Sequence, residues 1–240
     1  MPHQIRFLGH AAFTVRTSGG RTIFLDPWLE NPLSTMKLAD VGAADLVLVT
    51  HDHADHVGQA VEIANKTGAT VIAQPETVGR LQQQAGLKKE CVIYGTGINI
   101  SGMLDVKGIG VVMTPAFHSS LTGAPVGYVL RLEDGMTIYH AGDTGIFGDM
   151  RLIAEMYPID LALLPVGGCF TMDPAQAARA VGLLRPQKVI PMHYATFPML
   201  VKSADAFVDA AKKALPGVEV IVLKPGQEIA VEKPAARPAR

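Results

Sequence analysis

Between positions 51 and 56 the chain places His51, Asp52, His53, Asp55 and His56: three imidazoles and two carboxylates within six consecutive residues. They follow Thr50 and the apolar run Leu46-Val47-Leu48-Val49. A strand that ends in such a cluster delivers several ligating side chains to one point at a sheet edge. His51 and His53, two residues apart, can reach a common ion, and Asp55 with His56 can reach a second ion beside it. Neutral imidazole and carboxylate together suit zinc, and also manganese or iron, better than the softer ions that thiolates select. A solvated surface loop is the plain alternative, but ligand type and spacing agree on a metal centre.

Five residues cannot complete two such sites, so further ligands must come from elsewhere. His118 follows Val111-Val112-Met113-Thr114-Pro115, a strand that Pro115 ends. Asp143 lies in Ala141-Gly142-Asp143-Thr144-Gly145, where glycines let the backbone turn sharply after a strand predicted over 137–140. His193 follows Val189-Ile190-Pro191. Taken alone, His118 or His193 reads as a core histidine bonded to backbone. Beside the cluster, each reads as a ligand, because all these groups lie just after predicted strand ends.

Those strands belong to an alternating pattern. Strands are predicted over 4–8, 12–17, 22–25 and 46–50, with Ser18-Gly19-Gly20 as a hairpin turn. Helical spacing covers 57–65, with Thr67-Gly68 as its stop, and 75–84, which Gly86 ends. A short strand over 70–73 lies between them. Further strands are predicted over 91–94, 111–114, 127–132 and 137–140, the last two joined by Glu133-Asp134-Gly135. The final third predicts helices over 149–155, 173–184 and 204–214 and strands over 161–164, 189–190 and 218–223. Asp173-Pro174 supplies an N-cap and a first helical residue. Periodicity alone gives an α/β or α+β protein.

Composition narrows the class. At 240 residues, with 48% of them apolar and 18% charged, the chain can fill one sizeable core, and no linker divides it. The net charge of −1, without a Lys/Arg-rich stretch, argues against nucleic acid as a partner. Cys91 and Cys169 form no Cys-x-x-Cys pair and read as buried free thiols in a reducing compartment. No signal peptide or membrane-length apolar run is seen, so the expectation is a soluble cytoplasmic protein. The apolar excess leaves a homo-oligomer open. Residues 233–240, rich in Pro and charge, read as a disordered tail. His3, next to the terminus, reads as a solvent-exposed bystander, and Trp28 as an anchor for its loop.

The pattern His51-x-His53-x-Asp55-His56 resembles the metallo-β-lactamase superfamily of metallohydrolases, and the resemblance runs along nearly the whole chain. The subgroup it looks most like is the small bacterial metal-dependent hydrolases akin to ascorbate-6-phosphate lactonase. Leu8-Gly9-His10-Ala11-Ala12-Phe13, Leu25-Asp26-Pro27-Trp28, His140-Ala141-Gly142-Asp143-Thr144-Gly145 and Pro191-Met192-His193-Tyr194 carry that likeness. It implies a four-layered αβ/βα sandwich over 1–232, two mixed sheets flanked by helices, with the metal site at one edge. It also implies that His51, His53 and His118 bind one ion, that Asp55, His56 and His193 bind a second, and that Asp143 bridges them.

The implied reaction is hydrolysis of a small anionic ester, lactone or phosphodiester. Two divalent ions (zinc first, manganese or iron as alternatives) would generate the hydroxide, and Asp55 would orient it and protonate the leaving group. There is no Gly-x-Ser-x-Gly elbow and no histidine beside either cysteine, so the chemistry falls to the metals. His10 and His140 read equally as structural histidines or as groups that orient a ligand or touch substrate. Asp26 either orients an imidazole or caps the Pro27 turn, and Tyr194 and Thr196 adjoin His193 where substrate would sit. Gly167-Gly168 reads as a plain turn. The rival readings are a transfer-RNA-processing type of ribonuclease, a diiron oxygen reductase, and a non-catalytic metal or ligand sensor. The reductase reading is disfavoured by the retained His53 and the lack of a flavodoxin-like extension.

Overall fold

The structure, a computed structural model, describes residues 1–234. The chain opens with β1 (His3–Gly9), β2 (Ala12–Arg16), β3 (Thr22–Leu25) and β4 (Leu46–Leu48). Then come α1 (Ala54–Val57), α2 (Ala60–Thr67), β5 (Thr70–Ile72) and α3 (Pro75–Ala85). The middle holds β6 (Leu104–Val106), β7 (Ile109–Pro115), β8 (Val126–Arg131) and β9 (Thr137–His140). The last third alternates: α4 (Met150–Met156), β10 (Leu161–Pro165), α5 (Pro174–Leu184), β11 (Lys188–Met192), α6 (Asp205–Ala214), β12 (Glu219–Val220) and β13 (Glu228–Val231).

The strands form two mixed sheets, one ordered β13-β1-β2-β3-β4-β5 and the other β12-β11-β10-β9-β8-β7-β6. Side chains alternate across each strand, so a strand covered on both faces must be apolar at successive positions. Leu46 and Leu48 of β4 face the inter-sheet core together with Leu161, Leu163, Ile190 and Met192 from the second sheet. Val47 and Val49 turn outward onto Ile63 and Ala64 of α2 and Val78 and Leu81 of α3. On the other side, Ala162, Leu164 and Val189 pack beneath Ile153, Val181 and Phe207 of α4, α5 and α6. The four-layered sandwich is therefore present, with helices outside each sheet.

Strand direction fixes where chemistry can gather. In the first sheet β1 and β3 are both antiparallel to β2, and β4 is parallel to β3. The C-terminal ends of β1, β3 and β4 therefore share one edge, which carries His10, Asp26 and the 51–56 cluster. In the second sheet β7 and β9 are both antiparallel to β8, while β9, β10 and β11 run parallel. His118, Asp143 and His193 follow the ends of β7, β9 and β11 and share an edge for the same reason.

Several expectations need correction. The 91–94 segment forms two 3-10 turns, Lys89–Cys91 and Ile93–Gly95, with one isolated bridge from Val71 to Val92. Tyr94 at φ 53 turns the backbone out of any sheet. The helix expected over 57–65 is broken at Gly58, and the strand expected over 218–223 shrinks to Glu219–Val220. The first sheet is instead closed by β13, whose polar Glu228 and alternating exposure hid it. His3 is fully buried: its Nε2 lies 2.9 Å from Asp134 Oδ2, and Ser18 N donates to its Nδ1 at 3.0 Å. Cys91 is buried as expected, but Cys169 is exposed. Of the expected 233–240 tail, Lys233 donates to the Asp134 carbonyl at 3.0 Å, and residues 235–240 lie outside the described residues. Among the described residues no helix is long and apolar enough to cross a membrane.

Candidate metal centre

Each candidate ligand sits where a strand stops. β4 ends at Leu48, and Thr50 through His53 run on without regular structure into α1, which carries Asp55 and His56. Asp143 follows Gly142, whose φ of +61 and close approach (a Cβ there would lie 2.5 Å from the Val126 carbonyl oxygen) exclude a side chain. His10, Asp26 and His193 also have positive φ, at 56, 43 and 57. Left-handed backbone is uncommon for non-glycine residues and costs of order 1–3 kcal/mol where the surroundings impose it. Two of the three are joined, since His193 N donates to the His10 carbonyl at 2.7 Å.

The ligating atoms fall into three overlapping groups, each within 4.8 Å. His51, His53 and His118 form one, and His51 Nε2 lies 2.9 Å from His53 Nδ1. Asp55, His56 and His193, with His10, form another. His51, His56 and Asp143 join the two. Asp143 Oδ2 stands at the centre, 3.0 Å from His193 Nε2, 3.3 Å from His56 Nε2 and 3.6 Å from His118 Nε2. All seven sequence-predicted ligand positions are thus brought together.

Their partners aim them. Asp26 is fully buried and accepts from Thr50 N (2.8 Å), Thr50 Oγ1 (2.7 Å) and His56 Nδ1 (2.7 Å). With Nδ1–H spent on Asp26, Nε2 is the nitrogen that His56 turns to the cluster, and a cation bound there would take the place of its proton. Thr50 Oγ1, whose single proton goes to Asp26, accepts from His51 Nδ1 at 3.0 Å and so frees Nε2 in the same way. Asp26 therefore bonds a cluster imidazole through its side chain, while its backbone carbonyl accepts from Trp28 N at 2.7 Å across Pro27. His10 lies between Thr196 Oγ1 (2.6 Å from Nδ1) and Asp55 Oδ2 (3.1 Å from Nε2), with its ring over His193 at 3.9 Å between centroids.

Two predicted residues are not brought to the cluster. His140 Nε2 donates to the Ala11 carbonyl at 2.9 Å and its Nδ1 accepts from Gly142 N at 3.1 Å, so both nitrogens tie strand ends together. Tyr194 packs against the core beneath α4 to α6.

Burial sets the charges. It pushes His51 down to about 2, helped by the neighbouring His56, and His10 down to about 4. Both imidazoles are neutral at physiological pH, as ligation and directed hydrogen bonding require. His56 moves the other way: burial disfavours its charge, but the carboxylates of Asp143 and Asp26 outweigh that and hold its pKa well above the ordinary value. Burial would raise Asp143, yet the adjacent His56 and His193 hold it well below the carboxylate range.

The donor set fits divalent cations. The buried Asp143 Oδ1 has no hydrogen-bond partner within the protein. Such an atom left unsatisfied costs about 1–3 kcal/mol. A cation held where the ligating atoms converge would relieve that cost, and imidazole with carboxylate suits zinc, manganese or iron.

Sequence reasoning passed over two features. Asp52 is buried and accepts from Ser120 Oγ (2.7 Å), Leu121 N (2.7 Å) and Thr122 Oγ1 (2.5 Å), clamping the loop after His118 onto the cluster. Its place between two ligands was the available signal. The second is a cleft of about 580 Å³ beside the cluster, walled by Trp28, Phe170, Phe197 and Met199. No spacing rule connects those four. Trp28 anchors its loop as expected, stacking on Phe197 with centroids 5.9 Å apart and planes 24° apart.

Residues 21–194 match a model of the β-lactamase superfamily domain. A UPF0173 metal-dependent hydrolase of Nitratidesulfovibrio vulgaris (strain DP4) is 45% identical, covering 97% of both chains. One from Thermofilum pendens is 49% identical over 94% of this chain and 98% of its own. Among solved structures, Igni18, a metallo hydrolase from the hyperthermophilic archaeon Ignicoccus hospitalis, superposes with a TM-score of 0.87. It is 39% identical, and the match covers 97% of this chain and 99% of that one.

Proposed function

With the chain belonging to the β-lactamase superfamily and to its UPF0173 metal-dependent hydrolases, we propose that it hydrolyses a small ester, lactone or phosphodiester at a dinuclear centre. The observation that carries this reading is the position of Asp143 Oδ2, within 3.6 Å of three imidazole nitrogens contributed by three other segments. In this reading His51, His53 and His118 would hold one ion and Asp55, His56 and His193 the other, with Asp143 placed to serve both. When bound, divalent ions polarise the attacked group and lower the pKa of a water toward neutrality.

The chain's own residues do the rest. Asp26 and Thr50 fix which nitrogens of His56 and His51 face the centre, as second-layer partners do in metalloenzymes. Asp55 is partly exposed and faces the cleft. Burial works against its ionisation, but the His10 hydrogen bond and the nearby His56 hold it well below the usual carboxylate range. It is therefore ionised at neutral pH, with Oδ2 held by His10 and Oδ1 left both to hold the ion and to accept a hydrogen bond from a water beside it. Thr196, through His10, keeps that carboxylate in place.

Replacing Asp55 by Asn tests the assignment. Turnover of bis(p-nitrophenyl) phosphate and a simple lactone is expected to fall at least 100-fold, within the range for general acid–base groups, with metal largely retained. Unchanged rates in a metal-loaded Asp55→Asn protein would remove Asp55 from the mechanism.

A further inference from the structure

The wall of the cleft is chemically one-sided. Its ionisable members are His53, Asp55, His118, Asp143 and His193, all of them part of the cluster itself. Among the described residues no lysine or arginine lines it. The remaining surface is aromatic and thioether: Trp28 and Phe197 stacked on one side, Phe170 and Met199 beside them. Phe170 is 50% exposed and Met199 56%, whereas most large apolar side chains of this chain are buried. These groups come from three separate segments, the loops after β3, β10 and β11. Their apolar surface is continuous with the residues placed above as metal ligands, so whatever sits over the cluster also lies against them.

We propose that this cleft selects substrate through an uncharged apolar substituent, an alkyl chain or an aryl ring, seated on Trp28, Phe170, Phe197 and Met199. The inference rests on the hydrolase reading for the scissile bond but not for the apolar seat. It departs from the anionic substrate that the sequence suggested, because an anionic tail would lie on aromatic carbon with no cationic side chain to meet it, and desolvating it there is costly. An apolar tail gains from the same wall.

The chain contains one tryptophan, Trp28, so intrinsic fluorescence reports occupancy of the cleft directly. The experiment titrates the metal-loaded and the chelator-stripped protein with N-ethyl-, N-butyl- and N-hexylacetamide. An N-(carboxyalkyl)acetamide of matching length serves as the charged comparator. Dissociation constants are expected to fall about fourfold per added methylene, the fold-change that corresponds to about 0.8 kcal/mol per buried CH2. The carboxylated probe is expected to bind at least tenfold more weakly than its uncharged match in the stripped protein. Phe170→Ser with Met199→Ser, both at exposed positions, is expected to flatten the chain-length series while leaving metal content unchanged.

A flat series, or tighter binding of the carboxylate in the stripped protein, would overturn the proposal even if esters are hydrolysed. A flat series accompanied by self-association that the double variant abolishes would assign the apolar rim to a second copy of this chain, and would equally overturn it. The chain-length slope without turnover of any ester, lactone or phosphodiester by the loaded protein would support the apolar seat and remove the hydrolase reading instead.

Discussion

Replacing Asp26 by Asn exchanges one carboxylate oxygen for an NH2 group and leaves the shape unchanged. The carboxylate accepts three buried hydrogen bonds, from Thr50 N on Oδ1 and from Thr50 Oγ1 and His56 Nδ1 on Oδ2. An amide has one oxygen, so one of these arrangements fails in either orientation. If the oxygen faces His56, the NH2 meets the Thr50 N–H, and an unpaired buried donor costs about 1–3 kcal/mol. If the oxygen faces Thr50 N, the NH2 meets His56 Nδ1, and the imidazole must carry its proton on Nε2, where a ligand lone pair is needed.

Partners of this kind are typically worth 10–100-fold in metal affinity, about 1.4–2.8 kcal/mol. Removing the buried negative charge relieves some desolvation, so the stability loss belongs at the lower end of its range, about 1 kcal/mol. The affinity loss has no such offset. Competition with a chromophoric chelator at fixed pH reads the affinity, and urea unfolding of the stripped protein reads the stability. An Asp26→Asn protein that binds metal within twofold of the parent would refute the claim that Asp26 aims His56.

Two further substitutions test contacts at the two ends of β4, the first beside the centre and the second at the opposite sheet edge. Asp52→Ala removes the acceptor for Ser120, Leu121 and Thr122 and leaves Arg80, 3.3 Å away, without its carboxylate. A loss of about 2–3 kcal/mol is expected, since charge-assisted bonds are involved but Arg80 is partly solvated, and amides 117–122 should exchange faster in hydrogen-exchange mass spectrometry.

Asp45 accepts from Thr22 N and Arg21; burial would raise its pKa, but these bonds hold it below its ordinary value of 3.8. A depressed carboxylate contributes stability in full above the unfolded-state value and loses it as pH falls through the folded-state value. The gap in urea midpoint between parent and Asp45→Asn should therefore be constant from pH 7 to 5 and close below about 4. A gap that widens on acidification would contradict the sign.

The candidate cluster was legible because it is local where it matters. His51 to His56 announce themselves by spacing, and His118, Asp143 and His193 follow apolar strands that real pairing then directs to shared edges. Strands such as β3 and β9 stand at their predicted bounds because nearly every position is buried and, the terminal His140 apart, each is apolar, aromatic or β-branched. What failed was set by distant partners. At the break Gly58 takes a φ of 42 and lies so close to the Pro27–Trp28 backbone that a Cβ would meet Trp28 Cα at 2.3 Å, a contact that helical periodicity in 57–65 cannot register. The partner of β1 is β13, more than two hundred positions away, and its polar face gave no strand signal. His3 looked like a terminal bystander because its partners, Ser18 and Asp134, lie across two turns. The four apolar residues of the cleft are scattered over 28 to 199, and only the folded chain brings them to one wall.

Metal stoichiometry bears most directly on the central claim. Gently purified protein, analysed by inductively coupled plasma mass spectrometry before and after chelation and reloading, is predicted to hold two divalent ions per chain. A His51→Ala variant is predicted to hold at most one and to lose hydrolysis of bis(p-nitrophenyl) phosphate. A chain that binds no metal after reloading, or that keeps full occupancy and turnover without His51, would contradict the account.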